Sequence, residues 1–99
     1  MIFPDKKIED IHRICNENKV KSLFAFGSIT KGTMDDKSDI DLLVDIDISD
    51  PYEYTDTYFS LKEQLQELLG KNIDLLESRA LHNRFLKDEI DKTKVLVYE

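Results

Sequence analysis

Apolar positions follow two different periods along this chain. Over residues 5–18, Ile8, Ile11, Ile14 and Cys15 recur at spacings of three and four, which predicts a helix with one buried stripe and Asp5 as its N-cap. Residues 20–26 form a short apolar run stopped by Gly27, which reads as a strand. Residues 28–38 are polar, contain Gly32 and leave room for about one helical turn. Residues 39–47 alternate strictly between apolar and polar and form the clearest strand of the chain. Asp50-Pro51 marks a loop. Tyr58, Leu61, Leu65 and Leu68 give residues 55–69 a helical period, ended by Gly70. A strand over 72–77, a third helix over roughly 80–91 and a last strand over 95–98 complete the pattern. The mixture predicts an α/β (α+β) fold, a small mixed sheet with helices packed mainly on one face.

Length and composition narrow this picture. A chain of 99 residues fits one domain spanning 1–99, without low-complexity stretches, repeats or linkers to divide it. Lys and Arg number 14 against 21 Asp and Glu, a net charge of −7. That balance lacks the basic footprint of a protein that grips nucleic acid by its phosphates, so nucleic acid is not the expected partner. A triphosphate remains compatible where metal ions offset the charge. Cys15, the lone cysteine, has no internal partner and falls in register with Ile8 and Ile11, so it reads as a small buried apolar residue. No apolar run approaches the ~18 residues of a membrane span, and residues 1–10 hold no signal-peptide core. No membrane is expected as a partner, and the expected compartment is the cytoplasm.

The chemistry concentrates in residues 26–45. Strand side chains alternate, so Ile40, Leu42, Val44 and Ile46 face a core while Asp39, Asp41, Leu43, Asp45 and Asp47 face the other way. Asp39 and Asp41 then stand about 6.5–7 Å apart on one face, at ~3.3 Å per residue. Carboxylates at that spacing repel unless a cation sits between them, and such a pair suits Mg²⁺ in phosphoryl or nucleotidyl transfer. A half-exposed strand with a wet face explains the alternation equally well. Aspartate is nevertheless poorly suited to strands, and four on one face exceed what solubility asks for. Gly27-Ser28 shifts the balance. The glycine lets a phosphate approach the backbone, and the serine hydroxyl can donate to a non-bridging oxygen. Gly-Ser, ten intervening residues and Asp-x-Asp at the head of an apolar strand together place a phosphate cradle beside a metal-binding pair.

Gly27-Ser28, Gly32 and the run Ser38-Asp39-Ile40-Asp41-Leu42-Leu43-Val44 resemble the minimal nucleotidyltransferases of the polymerase-beta-like superfamily. Asn72-Ile73-Asp74-Leu75-Leu76 is similar to the stretch that carries the family's third carboxylate, which assigns that role to Asp74. The closing residues 95–99 are also like the family's end, so the resemblance spans nearly the whole chain. One departure is Lys31, where members often carry arginine; lysine keeps the charge but loses the two-point fork. A solvated loop lysine fits that position as well as a phosphate ligand.

The resemblance implies a nucleotidyltransferase fold and transfer of AMP from ATP with two Mg²⁺ ions. It assigns Asp39 and Asp41 to both metals, Asp74 to the acceptor-side metal and to the base, and Gly27, Ser28 and Lys31 to the nucleotide. The family is typically an antitoxin paired with a helical HEPN-domain toxin, which implies adenylylation of a toxin tyrosine and a hetero-oligomer, with a homo-oligomer also open. Competing readings are neutralisation of the partner by contact alone, transfer to a small hydroxylated molecule, and a structural acidic module. Other residues rank lower. His12 and His82 read as surface histidines, Asp45 and Asp47 as solvated carboxylates, Tyr52, Tyr54 and Tyr58 as packing residues, and Asp35-Asp36-Lys37 as a charged loop.

Overall fold

The computed structural model describes residues 3–33, 35 and 37–99; Met34 and Asp36, within the polar stretch, lie outside the described residues. The elements run α1 (Asp5–Glu17), β1 (Val20–Phe26), α2 (Ser28–Lys31), β2 (Ile40–Ile46), α3 (Pro51–Leu69), β3 (Ile73–Glu77), a short 3₁₀ turn at Ser78–Ala80, α4 (Arg84–Thr93) and β4 (Val95–Tyr98). The four strands form one mixed sheet in the order β3-β2-β1-β4. β1 pairs antiparallel with both β2 and β4, whereas β2 and β3 are parallel and joined by α3. A parallel pair needs such a crossover, because a tight turn can only reverse the chain.

α1 and α3 pack side by side on one face of the sheet. Ile11, Ile14 and Cys15 from α1 and Leu61 and Leu65 from α3 meet Leu23, Ala25, Leu42, Val44, Ile46 and Leu75 in the main core. Each fully buried leucine or isoleucine contributes about 1.5–3 kcal/mol relative to exposure, so this face carries most of the stability. The face-to-face assignment of the alternating strand agrees with the sequence. Leu43 is the instructive exception: it lies on the acidic face yet is only 5% exposed, because Phe26 and Ile90 of α4 cover it. α4 thus roofs part of the second face, on which Asp41 is half-buried.

Three boundaries differ from the sequence pattern. Pro4, extended at φ −57°, ψ 149°, occupies the N-cap of α1, and Asp5 sits in the first turn instead. There its carboxylate meets the positive end of the helix dipole. α3 begins at Pro51, because Asp50 is its N-cap and accepts a hydrogen bond from the Glu53 amide at 3.1 Å; the Asp-Pro pair starts the helix and is no loop. α4 begins at Arg84 behind Asn83, whose side chain accepts from the Leu86 amide at 3.2 Å. Among the described residues, no helix is long and apolar enough to cross a membrane.

Candidate active site

The site grows from the end of β1. After Phe26 the backbone turns at Gly27 with φ 74° and ψ −146°, a conformation essentially restricted to glycine. The amide and hydroxyl of Thr30 both donate to the Gly27 carbonyl, at 3.1 and 2.8 Å, and pin the turn. Ser28 follows, half-buried, as the first residue of α2. The β1–β2 register sets Phe26 opposite Asp41. A Cβ on Gly27 would collide with Asp41 Oδ2 and stand 3.2 Å from its Cγ. The glycine is therefore required twice, by its backbone angles and by the carboxylate beside it. The expected adjacency of the Gly-Ser turn and the Asp-x-Asp strand is present.

Parallel register then sets Asp41 directly opposite Asp74. Asp39 stands one residue ahead of β2, exposed to solvent. Burial pushes the Asp41 carboxyl above its ordinary value, and the charges of Asp74 and Asp39 push it further the same way. Both neighbouring carboxylates thus act on Asp41. They do not form a closed ligand shell: among the described residues, no three His, Cys, Asp or Glu side chains converge closely enough to hold a metal ion. Asp39 is the outlying member, because it lies beyond the strand that orders the other two. The donor set nevertheless suits a hard divalent cation, being all carboxylate oxygen around a half-buried group whose negative charge its neighbours disfavour and a cation would offset.

Lys31 is exposed at the C-terminal end of α2 and lines a cleft of about 90 Å³ with Gly27, Phe26, Leu86, Glu89 and Ile90. A second, open cavity of about 570 Å³ lies beside Asp39, between Lys37 and Ser38 and the turn Gly70-Lys71-Asn72, with Gln66 at its wall. Lys37 and Lys71 therefore share this cavity with the exposed carboxylate, a placement that no periodicity in the sequence signals. Lys71 Nζ donates to the Asp35 carbonyl at 3.1 Å. The Lys37 amide donates to the Asp35 carboxylate at 2.8 Å and, with the Ser38 hydroxyl, holds that carboxyl below its ordinary value.

The lower-ranked residues find ordinary partners. Asp45 lies 3.8 Å from Arg79, which also donates to the Ile46 and Ile48 carbonyls and stacks 4.1 Å over the Tyr54 ring. Asp47 is exposed. Tyr54 is buried in the core, Tyr58 donates to the Leu75 carbonyl at 2.6 Å, and Tyr52 is exposed. His12 lies on the surface with a ring nitrogen 2.8 Å from the Val97 carbonyl, and His82 is exposed.

Comparison with known proteins agrees with this geometry. The model of a family described as polymerase beta nucleotidyltransferase matches residues 9–99. A Methanocaldococcus jannaschii protein that carries the provisional name of protein adenylyltransferase is 35% identical over 79 residues, which cover 80% of this chain and 78% of the relative. A solved structure provisionally described as a minimal nucleotidyltransferase superposes with a TM-score of 0.76 at 24% identity, covering 91% of this chain and 88% of that one. A chain in the structure of a tri-AMPylated Shewanella oneidensis HEPN toxin in complex with an MNT antitoxin superposes with a TM-score of 0.63 at 19% identity, over 93% and 69% of the two chains. At these identities the two structural likenesses speak for the fold.

Proposed function

The chain belongs to the polymerase beta nucleotidyltransferase family, and on that premise we propose that it moves AMP from ATP to a hydroxyl acceptor, a tyrosine of a partner HEPN toxin. The observation that carries the reaction is the Asp41–Asp74 pair across β2 and β3, beside a Gly27 whose missing side chain makes room for the Asp41 carboxylate. The acceptor rests on less. A relative is named for protein adenylylation, and an antitoxin complex with an AMPylated HEPN toxin shares the fold.

Under this reading the tasks divide among the residues as follows. Gly27 lets the triphosphate approach the backbone, the Ser28 hydroxyl donates to a non-bridging oxygen, and Lys31 adds a positive charge at the same end. Asp39 and Asp41 would hold both Mg²⁺ ions and Asp74 the acceptor-side one; bound there, the ions neutralise phosphate charge and acidify the acceptor hydroxyl. Asp74 accepts the hydroxyl proton as the oxygen attacks the α-phosphorus in line. The new P–O bond forms as the bond to pyrophosphate breaks, leaving AMP on the acceptor. The protein positions groups and balances charge, and it does no covalent work itself.

The test is incubation of the chain with labelled ATP, Mg²⁺ and a HEPN-domain protein with which it forms a complex, followed by mass spectrometry. The wild type should add AMP to a toxin tyrosine. Asp74→Asn should still bind ATP and the toxin but leave it unmodified and active. A mutant that forms the complex and protects cells fully would show that neutralisation is by contact, and would end this reading.

A further inference from the structure

β3 is an edge strand, so half of its backbone groups have no neighbouring strand. The Ile40 amide donates to the Asn72 carbonyl at 3.0 Å, and in the parallel register this turns the amide and carbonyl of Asp74 inward to β2. Those of Ile73 and Leu75 consequently face outward. α3 meets both of them. Gln66 Oε1 accepts from the Ile73 amide at 3.1 Å, and Tyr58 Oη donates to the Leu75 carbonyl at 2.6 Å. These two bonds grip the strand on either side of Asp74, two helical turns apart on α3.

From this placement we infer that Tyr58 and Gln66 are positioning residues for the transfer reaction, fixing the height at which β3 presents Asp74 to Asp41. The inference rests on the reading of Asp74 as an acceptor-side group. A simpler role for the same bonds is to blunt an exposed strand edge. Two features favour positioning. Both bonds flank one residue, and that residue lies opposite Asp41.

The experiment compares Tyr58→Phe, Gln66→Met and the double variant in the full chain. Gln64→Met serves as control, because it breaks the α3 bonds to Asn18 and Ser60 without touching β3. Transfer is measured with ATP, Mg²⁺ and the HEPN protein as acceptor, alongside melting and amide hydrogen exchange. The double variant should lose about tenfold in kcat, with KM for ATP changed by less than about twofold, because β3 contributes nothing to the Gly27-Ser28 turn. The Asp74 and Leu76 amides should exchange about tenfold faster. Gln64→Met should lower the melting temperature and leave kcat alone. Wild-type kcat in the double variant overturns the inference. So does a joint change of kcat, KM and melting temperature that Gln64→Met reproduces. If the double variant fails to fold, Tyr58→Phe alone carries the same test. Should the wild type transfer nothing, the transferase reading falls by itself; hydrogen exchange then still decides the clamp, and unchanged β3 protection in the double variant overturns it.

Discussion

Replacing Gly27 with alanine adds one methyl group and should damage the protein in two separable ways. The first is backbone strain. At φ 74° and ψ −146° an L-residue is held in a glycine-only region, at a cost of about 1–3 kcal/mol. The second is collision: the new Cβ would overlap Asp41 Oδ2, so the carboxylate must leave its rotamer at a further ~0.5–1.5 kcal/mol. Together these predict a loss of about 2–4 kcal/mol. At about 4–8 °C per kcal/mol for a domain of this size, the melting temperature should fall by at least about 8 °C. A double-mutant cycle separates the two parts. In an Asp41→Ala background the collision disappears and only strain remains, so Gly27→Ala should cost about 1 kcal/mol less there. Thermal denaturation followed by circular dichroism of the four proteins measures this directly. Additive losses, or a Gly27→Ala protein that melts like the wild type, would refute the account of why this position is glycine.

Two further expectations follow from the charges and the core. Asp41 has a folded carboxyl pKa above its unfolded value of 3.8, so the native state binds the proton more tightly and stability falls as pH rises through that window. Asp41→Asn should therefore melt higher than wild type at neutral pH in metal-free buffer while losing transfer; a lower melting point would contradict the like-charge argument. Burial holds the Cys15 thiol protonated up to about 12 against an ordinary 9.0, so the unfolded chain loses its proton first and stability should decline between those values. Cys15→Ala should show a shallower alkaline decline, the remainder coming from the buried phenol of Tyr54, and the native thiol should resist alkylation at pH 8.

Much of this was legible in the sequence for local reasons. The bounds of Val20–Phe26 and Val95–Tyr98 are visible in the sequence at both ends, because each is a mostly apolar run with clear stops. The Gly27–Asp41 adjacency followed from two motifs on strands joined by a short polar connection. What escaped was decided by packing between distant elements. Leu43 obeys the alternation but not its usual meaning, since α4 covers it. The pairing of Asp41 with Asp74 spans the α3 crossover, and no periodicity announces a register across that distance. Asp50 and Pro51 carried a helix-start signal that was readable as a turn just as easily, because both structures favour the same residues.

The placement of β4 bears on how the chain reaches this structure. β1 lies between β2 and β4, but its two neighbours are unequally distant along the chain: Leu23 pairs with Val44, 21 residues on, and with Tyr98, 75 residues on. Closing the longer loop costs about 1 kcal/mol more in chain entropy, on a dependence of (3/2)RT ln n. Little local structure offsets that cost, since β4 has four residues, two of them exposed, and meets α1 through His12, whose ring lies 2.8 Å from the Val97 carbonyl and edge-on to Tyr98, and through the burial of Val97 in the main core. Kinetically, the β1–β2 pair is the affordable nucleus and β4 the late arrival. Until it docks, Phe24 and Ala25 present an unpaired central strand to other chains, which makes slow attachment of these four residues the step most exposed to aggregation during folding.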